Sequence, residues 1–228
     1  MTKPQTGFAI AIDGPGGVGK STAAKLVANL LNITYIDTGA MYRAVALYNI
    51  QNGTDINNQT EIENSLQNIK IDLRQINNTQ RVFLNNQDVT SLLRTQEISD
   101  FTSSAVAINE TVRKKLVSQQ QEMAKTGAVV MDGRDIGSQV LPWAQIKIYL
   151  DAAPEVRAKR RTLEMKSKGQ PANYEQILEE IKTRDQRDKT RAISPLIQTA
   201  DAIYIDTSHM NPQEVAEKIA SYVKELHP

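Results

Sequence analysis

The chain has 228 residues, with 27 Lys+Arg against 26 Asp+Glu and 40% hydrophobic residues. That is the balance of one α/β domain with room for a small insert, and it offers no global attraction to nucleic acid or to an anionic membrane. It has no cysteine and only two histidines, His209 and His227, which excludes thiol catalysis, disulfide frameworks and Cys-ligated metals and argues against a histidine relay.

No apolar run reaches the roughly 18–20 residues needed to span a bilayer. The apolar stretch 8–12 is too brief for a signal peptide, so a cytoplasmic protein is expected. Residues 8–12 read as a buried strand that runs into a glycine-rich segment. A helix follows from Lys20, with Ala24, Val27, Leu30 and Leu31 as its apolar stripe. A second strand at 33–36 ends at Asp37-Thr38-Gly39, and a helix spans about 40–49. Strand, loop, helix and strand in such short order predict a parallel βαβ unit.

Composition then shifts: fifteen of the 45 residues from 52 to 96 are Asn or Gln. Thr60 to Glu63 reads as a capping box opening a short helix. Segments 70–76 and 81–84 alternate about an Asn77-Asn78 turn, with 87–89 behind them, predicting a small antiparallel insert. Helical pattern resumes over 97–125 with a break near Asn109. Strands at 128–131, 146–150 and 202–205 complete five short buried strands. Pro154 opens a strongly basic helix, Asn173 caps the next, and Asn211 to Glu214 cap a last one. The fold class expected is a P-loop NTPase-like, five-stranded parallel sheet with helices on both faces, a small antiparallel insert and a basic helical lid. Residues 1–51, 97–153 and 192–228 would form the core, 52–96 the insert, and 154–191 the lid and following helix. No long exposed apolar stripe asks for a partner, so a monomer is expected.

Gly14-Pro15-Gly16-Gly17-Val18-Gly19-Lys20-Ser21 satisfies G-x-x-x-x-G-K-[ST] in full, between a buried strand and a helix. Glycines let successive amides converge on one anion, and the helix adds its positive end. Lys20 supplies a point charge for the β/γ-phosphates, and Ser21 a hydroxyl for Mg²⁺. A nucleoside triphosphate site follows, made by residues 14–21 with Thr22, but what the phosphate is used for does not.

Arg184, Asp188 and Arg191 continue the apolar stripe of Tyr174, Ile177, Leu178 and Ile181. Either they face a cleft, where a buried guanidinium must meet a carboxylate or a bound anion, or Arg184 and Asp188 form an ordinary i,i+4 pair. Arg187, Asp185 and Lys189 read as a solvated face. Arg157 and Arg161 form another i,i+4 set: a flap over phosphates, or a solvated basic helix. From Glu155 to Arg191 there are eleven basic and seven acidic residues. With Tyr174 as its one aromatic residue, that segment lacks a platform to stack bases, and nucleic-acid binding is not expected there. Two further clusters, Asp37-Thr38-Gly39-Ala40-Met41-Tyr42-Arg43 and Asp132-Gly133-Arg134-Asp135-Ile136-Gly137, lie just past strand ends, where open α/β sheets bind ligands. Each offers an arginine for a phosphate. Their carboxylates could equally cap helices.

Together these pieces resemble the bacterial cytidylate kinases, a family of nucleoside monophosphate kinases. The resemblance covers essentially the whole chain and rests on six motifs in order: the phosphate loop, D-T-G-A-M-Y-R (37–43), R-T-Q-E (94–97), S-x-V-A (104–107), D-G-R-D-I-G (132–137) and R-D-x-R-D-x-x-R (184–191). It implies ATP and CMP or dCMP as substrates, with Mg²⁺ as cofactor. It implies that Thr38, Tyr42, Arg43 and Arg134 bind the monophosphate, and that Ser104 (or Ser103), Arg113 and Asp135 read cytosine. Arg184 and Asp188 would approach the ribose, Arg191 the transferring phosphoryl group, and Arg157 and Arg161 would close on ATP. Lys20, Arg134, Arg191, Arg157 and Arg161 would be the catalytic set. Mg²⁺ would sit on Ser21, with Asp132 or Asp13 acting through water. A kinase for another small acceptor, or a nucleotide switch, are the rival readings; the chain lacks the guanine-reading N-K-x-D.

Overall fold

In a computed structural model, residues 8–77 and 79–226 are described; Asn78 of the expected turn and His227 lie outside them. The chain divides into two units, one running through Tyr35 and resuming at Ala124, the other Ile36–Met123.

The first unit is organised on β1 (Ala9–Asp13), whose five residues are all buried. A strand with no polar alternation requires cover on both faces, as in parallel α/β sheets. β1 pairs in parallel with β6 (Val129–Asp132) on one side and β7 (Ile146–Asp151) on the other; β7 pairs in parallel with β8 (Ile203–Asp206). With β2 (Thr34–Asp37) at the far edge, the order is β2-β6-β1-β7-β8. The inward faces of β1, β7 and β8, through Ile10, Ile12, Ile146, Ile148, Leu150 and Ile205, form one core with α1 (Lys20–Leu31) and α8 (Pro212–Leu226). Each fully buried isoleucine there contributes about 1.5–3 kcal/mol. α1 buries Ala23, Ala24, Val27 and Ala28, whereas Leu30, expected on its apolar stripe, is 49% exposed. Leu31 packs against that core as expected; Leu30 turns to solvent and the small Ala28 takes the buried place instead. α8 opens on a reciprocal box in which Asn211 Oδ1 accepts from the Glu214 amide and Glu214 from the Asn211 amide.

The second unit holds α2 (Thr38–Asn52), α3 (Gln59–Gln67), an antiparallel sheet of β3 (Ile71–Ile76), β4 (Thr79–Leu84) and β5 (Gln87–Asp88), then α4 (Gln96–Ser104) and α5 (Glu110–Lys125). Its core draws on Met41, Val45, Ile62, Leu66, Ile71, Val82, Leu84 and Leu116. The Asn/Gln-rich stretch therefore keeps enough spaced apolar residues to pack one face of its sheet. α3 is capped not by Thr60 but by Asn58, whose side chain accepts from the Thr60 and Glu61 amides. Glu61 closes that box by accepting from Asn58 Nδ2 at 3.0 Å. Asparagine outranks threonine at this position, so the helix starts earlier than expected. The break near Asn109 is present: Asn109 caps α5 by accepting from the Val112 amide.

α6 (Pro154–Ser167) starts on Pro154, and α7 (Tyr174–Thr190) on Asn173, which accepts from the Gln176 amide. No helix among the described residues is long and apolar enough to cross a membrane.

At Gly14 the loop leaves β1 so close to β7 that a Cβ would lie 2.0 Å from the Leu150 carbonyl oxygen. Neither partner is a flexible side chain, so Gly14→Ala is expected to cost more than about 4 kcal/mol and to leave little folded protein, read by chemical unfolding monitored by circular dichroism.

Candidate active site

The glycine loop is held in shape by its own backbone and by its neighbours. Gly17 and Gly19 have φ of 78° and 91°, in the left-handed region that side chains rarely adopt. Val18 is buried, and its carbonyl accepts from the hydroxyl of Thr207, which also reaches the Asp151 carbonyl. Lys20 heads α1, only 6% exposed, and donates to the Pro15 carbonyl at 2.6 Å. Burial, and then the nearby Arg134 cation, push its amine well below its ordinary value, against the carboxylates of Asp132, Asp188 and Asp13. Thr22 lies in the first turn of α1, exposed.

Ser21 donates to Asp132 Oδ2 at 2.8 Å, and Tyr35 donates to the other oxygen of the same carboxylate at 2.8 Å. Asp132 is therefore the carboxylate beside the loop's hydroxyl. Asp13, the other candidate, is committed elsewhere: it accepts from the amides of Ile136 (2.8 Å) and Gly137 (2.7 Å). Burial drives its carboxyl up to about 7 against those two bonds. Residues Ile136–Val140 form a π-turn, and a Cβ at Gly137 would lie 3.4 Å from Asp13 Oδ2 and 3.2 Å from Lys147 Cδ. Asp13 thus pins the segment bearing Arg134 and Asp135 to the end of β1.

Arg134 Nε donates to Asp188 Oδ2 at 2.8 Å, a pair that joins β6's loop to α7. Another Arg134 nitrogen lies 3.5 Å from where a Gly16 Cβ would stand, and Arg184 lies 3.9 Å from the same point. Burial works to raise the Asp188 carboxyl; the Arg134 charge and hydrogen bond, with Arg184 and Arg191, outweigh it and hold the group below its ordinary value. Arg191 follows the last turn of α7, its Nε donating to the Ser194 carbonyl at 2.6 Å.

Asp185 corrects the sequence reading. Expected on a solvated face, it is buried and takes both arms of Arg157, at 3.0 and 2.6 Å. A helix stripe is wider than one residue per turn, and Asp185 lies eight residues beyond Ile177, on the same face. Arg157 is correspondingly not an open flap residue: it is 2% exposed and also donates to Ala152 and Gly16 carbonyls. Arg161 is exposed and pairs with Glu164 at 3.1 Å.

In the second unit Asp37 does cap α2, accepting from the Ala40 amide at 2.8 Å, and it also binds Arg43 at 3.2 Å. The helix-cap reading of this cluster's carboxylate therefore holds, and the same carboxylate also pairs with Arg43. Thr38 is buried in the first turn. Arg113 is 4% exposed, donates to the Ala107 carbonyl at 2.9 Å and lies over the Tyr42 ring, 5.4 Å from its centroid. Ser104 is exposed and Ser103 buried; both hydroxyls donate to the Asp100 carbonyl. Besides Asp185, sequence reasoning missed Tyr35 and Thr207. Neither carries a local signal, since each acts on a segment far away in the chain.

A parallel sheet whose first strand turns through such a loop into a helix headed by Lys20 defines the P-loop phosphotransferase class. A family model described as cytidylate kinase matches residues 10–225. The chain is similar to the cytidylate kinase of Bacillus cereus (strain ATCC 10987 / NRS 248), 48% identical over 95% of this chain and 96% of that protein. It is also similar to that of Bacillus thuringiensis (strain Al Hakam), 47% identical over the same shares. Among solved structures, an uncharacterized protein from Eubacterium ventriosum ATCC 27560 shares the fold with a TM-score of 0.51 at 14% identity, covering 96% of this chain and 98% of that one. The chain belongs to the cytidylate kinase family and is an ATP-dependent nucleoside monophosphate kinase.

The Arg134–Asp188 pair sets a pH dependence. A carboxyl held below its unfolded value near 3.9 contributes stability that is present above that value and lost as pH falls through its folded value. Asp188→Asn is expected to cost about 1–3 kcal/mol near pH 7 and to approach the parent as pH falls below the unfolded value near 3.9 and through the lower folded one, read by urea unfolding across that range.

Proposed function

We propose that the protein transfers the γ-phosphoryl group of ATP to the 5′-phosphate of CMP or dCMP, giving ADP and CDP or dCDP, as a monomer in the cytoplasm. The observation that carries this reading is the buried Lys20 and the half-buried Arg134 against the glycine loop, cations suited to a polyphosphate. Residues 52–96 serve as the monophosphate-binding insert and 154–191 as the lid and the helix that follows it.

The loop amides from Gly14 to Ser21, with Thr22, hold the triphosphate, and Lys20 leaves the Pro15 carbonyl for the β/γ-oxygens. Ser21 and Asp132 are hard oxygen donors 2.8 Å apart, and no cluster of three acidic or histidine side chains stands among the described residues; that donor set fits Mg²⁺, which keeps its waters and takes substrate oxygens. Ser21 would hold the ion directly and Asp132 through water; bound there, it neutralises phosphate charge. Asp13 keeps its amides instead.

The acceptor phosphate is already anionic, so no strong general base is required. Catalysis rests on positioning and charge stabilisation by Lys20, Arg134 and Arg191, with Arg161 from the lid segment; Arg157, buried on Asp185, supports the glycine loop instead of closing on ATP. Thr38, Tyr42, Arg43 and Arg134 contribute to the monophosphate, and Arg184 and Asp188 to the ribose. Cytosine offers one amino donor and two acceptors, matched by Asp135, a serine hydroxyl (Ser104 or Ser103) and Arg113. Uracil presents a carbonyl where cytosine has its amino group. It would leave Asp135 facing an acceptor, at about 1–3 kcal/mol or more.

Initial rates with CMP, dCMP, UMP and AMP, read by coupled ADP detection, are expected to rank CMP and dCMP first. A faster rate with AMP, or ADP release that needs no acceptor, would overturn the reading. Arg191→Ala is expected to lower kcat by about a hundredfold while changing the KM for CMP little. The reverse pattern would make Arg191 a substrate-binding residue only.

A further inference from the structure

Arg157 is the largest of the fully buried side chains. Its Nε donates to the Ala152 carbonyl at 2.8 Å. One terminal nitrogen donates to both the Gly16 carbonyl, at 3.1 Å, and Asp185 Oδ1, at 3.0 Å; the other donates to Asp185 Oδ2 at 2.6 Å. One guanidinium therefore joins the corner between β7 and α6, the glycine loop and α7. Its stem lies along the loop: Arg157 Cβ is 3.6 Å from where a Gly17 Cβ would be.

In a planar trans peptide the carbonyl and the following N–H point in opposite directions. Holding the Gly16 oxygen thus decides where the Gly17 N–H points. Gly17 has φ of 78° and no side chain to restrain it, so an external partner on that peptide matters more than it would at another residue. A buried guanidinium stays in place only while a carboxylate neutralises it. Asp185 is that carboxylate.

We infer that Asp185 is a positioning residue for the triphosphate subsite: it keeps Arg157 on the Gly16 carbonyl and so fixes the loop's amides in their anion-binding orientation. The inference rests on the reading that this loop takes the phosphates of ATP. A pair that merely stapled α6 to α7 would stabilise the protein and treat both substrates alike. A pair that orients the loop acts on ATP selectively.

The test compares wild type, Asp185→Asn and Asp185→Glu. The asparagine keeps the shape but replaces one accepting oxygen by an amide NH2, a donor facing the guanidinium's own donors. The glutamate restores the charge. KM values for ATP and CMP are measured with kcat, at a temperature where circular dichroism shows each variant folded, alongside calorimetric binding of a non-hydrolysable ATP analogue. Asp185→Asn is expected to raise the KM for ATP and weaken the analogue about tenfold or more, leave the KM for CMP within about twofold, and be largely rescued by glutamate. Unchanged ATP parameters, a parallel rise in both KM values, or no rescue would overturn the inference. If the asparagine variant does not fold, Arg157→Lys, which keeps a cation for Asp185 but loses the fork that also holds the Gly16 carbonyl, decides in the same way: a rise in KM confined to ATP supports the inference, and no such rise overturns it. Failure of wild type itself to bind the analogue would instead overturn the reading of the loop.

Discussion

Cations cannot be buried without anions, and in this protein that constraint falls on the loop and strand ends of one sheet. Lys20, Arg157 and the Arg134 fork are all drawn in against the glycine loop; Asp185 and Asp188 on α7 pair with the two arginines, and Asp132 at β6's end acts on Lys20 through space. Removing one partner of such a pair leaves an uncompensated charge, which costs several times what a surface pair contributes. The arrangement is therefore determined jointly: moving any one of these side chains strands another.

Function follows from the same constraint. A site balanced by its own carboxylates is stable without a ligand, yet it offers a polyphosphate several donors whose internal partners can be exchanged. Lys20 illustrates this. Its amine rests on the Pro15 carbonyl, inside the loop it would use to hold a phosphate oxygen. Its depressed proton affinity shows how unfavourable the buried charge is until an anion arrives. In the second unit the same logic is milder: Arg43 rests on Asp37, and Arg113 on a carbonyl and an aromatic ring.

The parts of this design that are contiguous in the chain were legible from residue order alone. The glycine loop, the strand before it and the helix after it declare themselves because glycine, lysine and serine at fixed spacing answer to one geometry. Four of the five strands show as short, mostly buried apolar runs, whereas β8, expected buried, lies at the sheet edge and buries only Ile205; the antiparallel insert shows as alternation between turns. What was not legible depends on tertiary pairing. Asp185 looked solvated because its neighbours Gln186 and Arg187 are polar and its partner lies 28 positions earlier. Asp132's partner Tyr35 lies 97 positions away. Helix caps were misplaced by two residues where Asn58 competed with Thr60, and Leu30 was placed inside because periodicity counts hydrophobicity and not the closeness that alanines permit.

The central claim is that the cations gathered at the loop form a ready polyphosphate site. Isothermal titration of ATP into the ligand-free protein, with and without the change Lys20→Ala, tests it most directly. The account predicts saturable binding at one site per chain for the parent and its loss, by about a hundredfold or more, for the variant. Equal binding to both proteins, or no saturable binding to the parent, would contradict it.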